Sequence, residues 1–168
     1  MLINSPAEEG GDAAVTLDPR CLRTDAGEPI ALDVPDPFLY EVLATEADTD
    51  EQGHVNNAVY PRWMDQAAYA HSCAVGYDWA AYQRLGACFV VRRHEIDYLD
   101  MAFTGDRLVV ATWPCRMERF RALRRHQIVR LSDGQTLVRA LTTWIYTDLA
   151  TRRPRRMPPV LIAAFGPR

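Results

Sequence analysis

The chain has 168 residues, 48% of them hydrophobic, which is enough to bury one core. No stretch approaches the roughly 20 apolar residues that a membrane helix requires, and the first residues lack the charged start and apolar run of a secretory signal. We therefore expect no membrane association and a cytoplasmic location. All 19 basic residues are arginine. The lack of lysine excludes Schiff-base chemistry, a pyridoxal-phosphate anchor and a P-loop.

Charge is divided unevenly along the chain. Residues 1–56 contain 13 acidic residues and 2 arginines, whereas residues 57–168 contain 9 acidic residues and 17 arginines. A basic second half can attract nucleic acid, the phosphates of coenzyme A or the acidic surface of an acyl carrier protein. We expect no nucleic-acid partner, because no reading motif is recognisable and the sequence pI is about 5.8.

The first 35 residues show little periodicity and predict an extended or weakly ordered arm, with a single domain over residues 36–168. Alternating residues from Phe38 predict a strand. The polar segment from Asp48 to Gly53 predicts a loop. A helix should follow from near Asn57 to Gly76, with Asn56 or Asn57 as its N-cap.

A short second helix is predicted around Asp78 to Leu85, and strand patterns dominate after it. Four segments are rich in β-branched or aromatic residues: 88–99, 107–116, 121–131 and 135–147. Asp133-Gly134 is a strong hairpin turn. The order of elements predicts an α+β domain in which a curved antiparallel sheet wraps around one long central helix.

The segment from Asp50 to Tyr60 combines a carboxylate, a glycine and the start of a helix. Unpaired amides at a helix N-terminus, together with the helix dipole, can polarise a thioester carbonyl and hold the developing oxyanion. Asp50 can then supply the attack. The segment can therefore hold a carbonyl group at the helix start and attack it from the neighbouring carboxylate.

The same run, Asp50-x-x-Gly53-His54-Val55-Asn56-Asn57-x-x-Tyr60, resembles the signature of the 4-hydroxybenzoyl-CoA thioesterase family and of related acyl-carrier-protein thioesterases. Later landmarks, His94 to Leu99 and the closing Asp148 to Pro158, extend the resemblance. It implies a hotdog fold, assembled as a homodimer or homotetramer with active sites at the protomer interface. It also implies an acyl-CoA or acyl-carrier-protein substrate, no metal and no cofactor.

Within that resemblance, Asp50 matches the catalytic aspartate and Asn57 the residue whose backbone amide receives the thioester oxygen. Gly53 and His54 complete the catalytic set, while Gln52 stands where the carrier-protein branch has asparagine. Further residues are expected to bind substrate: Tyr60 and Trp63 through the acyl group, unless they only pack the core, and Arg152 and Arg153 through phosphates.

Several alternatives stay open. Asp65, eight residues after Asn57, is an alternative catalytic acid, because another hotdog branch carries its acid on the central helix. A hydratase or dehydratase is a rival function, although the spacing from Asp50 to His54 is one residue short of that pattern. A non-catalytic acyl-CoA-binding module is another. The cysteines and histidines show no metal-ligand spacing, so we predict no metal site.

Overall fold

The computed structural model describes residues 17–166, which form five strands and three α-helices. In chain order the elements are β1 (Phe38–Leu43), α1 (Val59–Ala74), α2 (Trp79–Leu85), β2 (Ala87–Tyr98), β3 (Arg107–Met117), β4 (Arg121–Arg130), β5 (Thr136–Asp148) and α3 (Pro159–Ala164). Short 3-10 turns lie at Pro19–Cys21 and Glu46–Asp48.

The strands form one antiparallel sheet in the order β1-β3-β4-β5-β2. Hairpins join β3 to β4 and β4 to β5, and the second hairpin includes Gly134 in a left-handed conformation with φ +73°. β1 and β2 occupy opposite edges, because the chain between them crosses the sheet as α1 and α2. β2 pairs with β5 along its length, from Ala87 opposite Asp148 to Tyr98 opposite Val138.

The long helix α1 packs against one face of this sheet. Trp63, Met64 and Ala67 are buried on the side of α1 that meets the strands. They share a core cluster with residues of β3, β4 and β5: Val110, Ile128 and Ala140. The small side chain of Ala67 permits a close approach, and burial of Met64 contributes about 2 kcal/mol. The predicted hotdog architecture, an α+β domain with a curved sheet around one helix, is confirmed.

The N-terminal segment covers the outer face of the sheet. Leu22 and Ile30 are buried there against outward-facing apolar residues such as Val109. The buried Gln127 side chain holds the segment, since its Nε2 donates to Ala31 O over 3.1 Å and its Oε1 accepts from Asp33 N over 2.8 Å.

We expected residues 1–35 to be extended or weakly ordered. Residues 17–35 have little regular secondary structure, but they are packed against the sheet because its outer face is also apolar. Residues 1–16 lie outside the described part of the chain, and the division of the sequence at residue 35 stays a prediction.

Predicted and observed elements agree to within two residues at each boundary, from β1 to β5. No pattern in the sequence predicts α3, because its six residues are too few to signal a helix on their own. α3 forms because Leu161 is fully buried in a second cluster with Phe89, Trp144 and Tyr146. Within residues 17–166, no helix combines the length and apolar character needed to cross a bilayer.

Candidate active site

Asp48 anchors the loop that precedes α1. Its carboxylate accepts hydrogen bonds from Thr45 N (2.9 Å) and Thr45 Oγ1 (2.7 Å), and it pairs with the guanidinium of Arg62 on α1. Burial favours a higher pKa for Asp48, but the hydrogen bonds from Thr45 and the charge of Arg62 outweigh it, so the pKa lies below its usual value. The backbone oxygen of Asp48 also accepts a hydrogen bond from Asn56 N over 2.9 Å, and this bond closes the loop.

Asp50 lies at the tip of this loop, in a tight turn that Gly53 makes possible. Gln52 N donates to Asp50 Oδ1 over 2.9 Å, and Gly53 N donates to Asp50 O over 2.9 Å. Gly53 has a φ of +82°, a left-handed conformation that side chains other than glycine rarely adopt. In this turn the side chain of Asp50 is 26% exposed.

His54 lies beside this carboxylate. Its Nδ1 is 3.8 Å from Asp50 Oδ2 and 3.3 Å from Val55 O, and its Nε2 is 3.2 Å from Gln52 Oε1. Which nitrogen donates depends on the tautomer. Gln52, which departs from the asparagine of the carrier-protein branch, therefore contacts the imidazole with its longer side chain.

The start of α1 differs from the predicted cap. We expected Asn56 or Asn57 at the N-cap, but Ala58 occupies that position and has no side-chain cap. Asn56, two residues before Ala58, still contributes a side-chain hydrogen bond here, because its Oδ1 accepts a hydrogen bond from Ala58 N over 2.8 Å. The backbone N–H of Asn57 makes no hydrogen bond to any residue in the range 17–166. This amide is therefore free to donate to a ligand.

These groups open onto one groove of about 570 Å³. It is lined by the loop and the start of α1 (Asp50, Gln52, His54, Asn56, Asn57 and Tyr60) and by the end of β2 and the following turn (Tyr98, Leu99, Asp100 and Met101). Tyr98 OH donates to Asn57 O over 3.0 Å, and the ring of Tyr98 meets Tyr60 edge-on at 5.5 Å. The hydrogen bond fixes the orientation of the residue that carries the free amide.

Not every predicted site residue lies at this groove. Tyr60 lines it, whereas Trp63 is buried in the core cluster. Arg152 and Arg153 are exposed in the turn after β5, next to the position where Thr147 pairs with Pro154. The groove adjoins Val138 at the other end of β5, about 30 Å away along the strand. Within one chain these arginines do not reach the groove.

Asp65 also lies away from the groove, two turns further along α1. One of its carboxylate oxygens, Oδ1, is buried and has no hydrogen-bond partner among the described residues. Burial raises the pKa of Asp65 to about 6. The protonated form is favoured because a charge placed there is poorly solvated.

A protein metal site needs several ligand side chains placed close together. Across residues 17–166, no group of three or more histidine, cysteine, aspartate or glutamate residues is placed to hold a metal ion.

A family model described as the thioesterase-like superfamily matches residues 45–165. The chain belongs to this superfamily. The match includes the loop with Asp48 and Asp50, all of α1 and strands β2 to β5, and leaves out β1 and the N-terminal segment. Membership agrees with the family resemblance of the sequence and supports thioester hydrolysis as the general activity.

Solved structures show the same fold at low identity. The 1,4-dihydroxy-2-naphthoyl-CoA thioesterase of Synechocystis is 23% identical, with 76% of this chain and 94% of that chain covered and a TM-score of 0.70. The DHNA-CoA thioesterase of Staphylococcus aureus is 22% identical, with 76% and 87% covered and a TM-score of 0.70. An acyl-ACP thioesterase of Bacteroides thetaiotaomicron is 22% identical, with 71% and 49% covered and a TM-score of 0.65.

Two parts of the site have no signal in the sequence motif. Tyr98, Leu99 and Met101 line the groove although they are about 40 residues from the loop in the chain. The ion pair of Asp48 with Arg62 was also not foreseen. A spacing of 14 residues gives no signal for such a pair, and only the position of Asp48 beside a predicted helix start could have suggested it.

Proposed function

We propose that this superfamily member hydrolyses an acyl thioester of coenzyme A or of an acyl carrier protein, with Asp50 as nucleophile or general base. One observation carries the proposal: Asp50 and Asn57, whose backbone N–H has no partner within residues 17–166, line the same groove at the start of α1. A carbonyl that accepts from Asn57 N–H would have its carbon beside the carboxylate. Attack and oxyanion stabilisation then come from two sides of one bound group.

As a general base, Asp50 takes a proton from water while the water oxygen attacks the carbonyl carbon. Negative charge develops on the carbonyl oxygen, where Asn57 N–H and the N-terminus of α1 stabilise it. Collapse of the tetrahedral intermediate breaks the C–S bond, and the thiolate takes up a proton. As a nucleophile, Asp50 instead forms a mixed anhydride that water hydrolyses. His54, at 3.8 Å, stabilises the Asp50 carboxylate in either route when it is protonated.

The test is Asp50→Asn, which removes the charge and keeps almost the same shape. Loss of the base or nucleophile should lower kcat by about 100-fold or more. Glu51→Gln, in the same loop and exposed, is the matched control and should retain activity. The substrates are short, medium, long and aromatic acyl-CoA thioesters, with release of free thiol as the readout. If Asp50→Asn keeps half of the wild-type kcat, Asp50 is not the catalytic carboxylate.

Asp65 is the alternative catalytic acid, and its unpaired buried oxygen and raised pKa favour it as the second candidate. A protonated carboxyl can act as a general acid near neutral pH. Loss of activity in Asp65→Asn with retention in Asp50→Asn would assign the role to Asp65. If wild-type protein binds acyl-CoA but releases no thiol from any thioester, it is a non-catalytic acyl-CoA-binding module.

The protein is proposed to act as a homodimer or homotetramer. β2 is an edge strand whose outer side pairs with no other strand of residues 17–166. Exposed apolar side chains (Tyr98, Leu99, Met101 and Phe103) lie beside the groove at the end of this strand. Unpaired strand edges and contiguous apolar surface are both typical of protein interfaces.

A further inference from the structure

A second, smaller pocket lies between α1 and the sheet, further along the strands than the groove. We name it the Arg124 pocket, after the residue at its base. Its walls are largely aromatic (Tyr69, Tyr82, Phe89, Trp144 and Phe165), and it encloses about 40 Å³. Tyr69 is partly exposed, whereas Phe89 and Trp144 are buried. The pocket therefore has a dry base and a mouth that reaches solvent.

Arg124 places a positive charge at this base. Only 6% of the residue is exposed. Its Nη1 donates to Thr112 Oγ1 and to His71 Nδ1, each over 3.1 Å. No carboxylate in the range 17–166 forms an ion pair with it, and the Asp65 side chain that lines the same pocket is not paired with it either. Burial lowers the pKa of Arg124 to about 10, so the guanidinium stays charged at neutral pH.

Trp144 adds a second unused donor. It is 6% exposed, lines the pocket, and its indole Nε1–H has no hydrogen-bond partner among the described residues. A buried donor without a partner costs about 1–3 kcal/mol. A buried charge without an opposite charge costs more. An anionic acceptor in the pocket would offset both costs at once, with the Asp65 carboxyl on the pocket wall protonated beside it, since burial already raises the pKa of Asp65 to about 6.

We propose that the Arg124 pocket binds a carboxylate group on an apolar stem, with the carboxylate accepting hydrogen bonds from Arg124 and Trp144 Nε1. A guanidinium matches the planar shape and charge of a carboxylate. The enclosed space holds little more than this head group, so the stem lies among the aromatic walls and extends through the mouth. Amides and alcohols of the same shape lack the charge and bind more weakly.

The carboxylate has two possible sources, a free organic acid or the far end of a dicarboxylic acyl group bound in the groove. The second source rests on the proposed thioesterase function. The distance along β5 from Val138, beside the groove, to Thr142, beside Arg124, is about 13 Å. A dicarboxylic acyl group must therefore be long to reach from the groove to the pocket. Binding of a free acid does not depend on catalysis.

The first experiment measures binding to the purified full chain by calorimetry. Benzoate and hexanoate are the probes, and benzamide and hexanamide are their uncharged counterparts. Each acid should bind at least about tenfold more tightly than its amide, and Arg124→Gln should abolish the difference. Arg125→Gln, on the exposed opposite face of the same strand, is the matched control and should leave binding unchanged.

Trp144→Phe replaces Arg124→Gln in the binding test if the arginine variant does not fold. It removes only the indole N–H and keeps an aromatic ring in the pocket wall. It should weaken binding of the acid about fivefold, because the carboxylate loses one of its two proposed donors. The proposal is wrong if neither acid binds, if acid and amide bind equally, or if Arg125→Gln weakens binding as much as Arg124→Gln.

The second experiment identifies the source by comparing KM for dodecanedioyl-CoA and dodecanoyl-CoA. If Arg124→Gln raises KM only for the dicarboxylic thioester, by about tenfold, the carboxylate belongs to the acyl group. If both KM values are unchanged while benzoate binding is lost, the ligand is a free acid. A protein that binds acids but hydrolyses neither thioester would leave this proposal standing and contradict the proposed function.

Discussion

Asp48 and Arg62 form an ion pair that joins the candidate catalytic loop to the first turn of α1. The side chain of Asp48 is 7% exposed and that of Arg62 is 57% exposed. The carboxylate is therefore held by the protein, while the guanidinium faces water. Together with the Thr45 hydrogen bonds, the pair sets the position from which the chain turns towards Asp50.

Asp48→Asn should lower the free energy of unfolding by about 1–2 kcal/mol at neutral pH, because it loses the charge that Thr45 and Arg62 stabilise. The folded-state pKa of Asp48 lies below the ordinary value of 3.8, so its stabilisation is complete above that pH and is lost as the pH falls below it. Urea unfolding at about pH 7 and about pH 3 should show the difference from wild type shrinking in acid. Glu51→Gln is the control, and an equal loss of stability in that variant would contradict a special role for Asp48.

Gly53→Ala should destabilise the protein by about 1 kcal/mol and lower kcat more than it changes KM, because alanine is strained at a φ of +82°. No atom lies within 4 Å of the position of an added Cβ, so crowding is not the cause. Asparagine tolerates this conformation better, and Gly53→Asn should therefore be the milder change. If Gly53→Ala and Gly53→Asn lower the thermal unfolding temperature equally, backbone strain is not the reason for glycine at this position.

Tyr98→Phe removes the hydroxyl that donates to Asn57 O and should reduce kcat about fivefold, the equivalent of one hydrogen bond of about 1 kcal/mol. KM should change little, because the effect is on the orientation of Asn57, whose amide is the proposed oxyanion donor. Steady-state kinetics on one acyl-CoA thioester are sufficient. Tyr40→Phe is the matched control, since the hydroxyl of Tyr40 makes no hydrogen bond in the described part of the chain. A kcat effect of the same size in both variants would argue against positioning by Tyr98.

Asp65→Asn should stabilise the fold above about pH 6, by at most about 3 kcal/mol, because it removes a carboxylate that burial disfavours. The pKa of Asp65 is raised from 3.8 to about 6. Asp65 therefore disfavours the folded state least below pH 3.8. Its cost to stability grows as the pH rises and is complete above about pH 6. Urea unfolding at about pH 4 and about pH 7.5 should show the variant gaining on wild type only at the higher pH. Asp97→Asn, exposed on β2, is the control, and a constant difference at both pH values would exclude titration of Asp65 as the cause.

Light scattering at micromolar concentration should give a mass of twice the 19.0 kDa chain or more, because the edge strand β2 and the apolar side chains beside the groove need a partner surface. Charged substitutions at Leu99 and Met101 should lower that mass. A single species of 19.0 kDa in wild-type protein would contradict the proposed assembly.

The sequence by itself determined the positions of the strands and the long helix and the composition of the candidate catalytic loop. Strand and helix periods are local properties, so alternation from Phe38 and the spacing of Trp63, Ala67 and Ala74 could be read directly. The loop could be read for the same reason, since Asp50, His54 and Asn57 lie within eight residues of one another.

The tertiary structure alone decided which distant residues meet. The strand order β1-β3-β4-β5-β2 brings Tyr98 to Asn57, and the packing of α1 on the sheet buries the carboxyl oxygen of Asp65. Arg124 and Arg125 are adjacent residues of the same type, yet the side chain of Arg124 is buried and that of Arg125 is exposed. Neighbours on a strand point to opposite faces, and which face is covered depends on the rest of the chain.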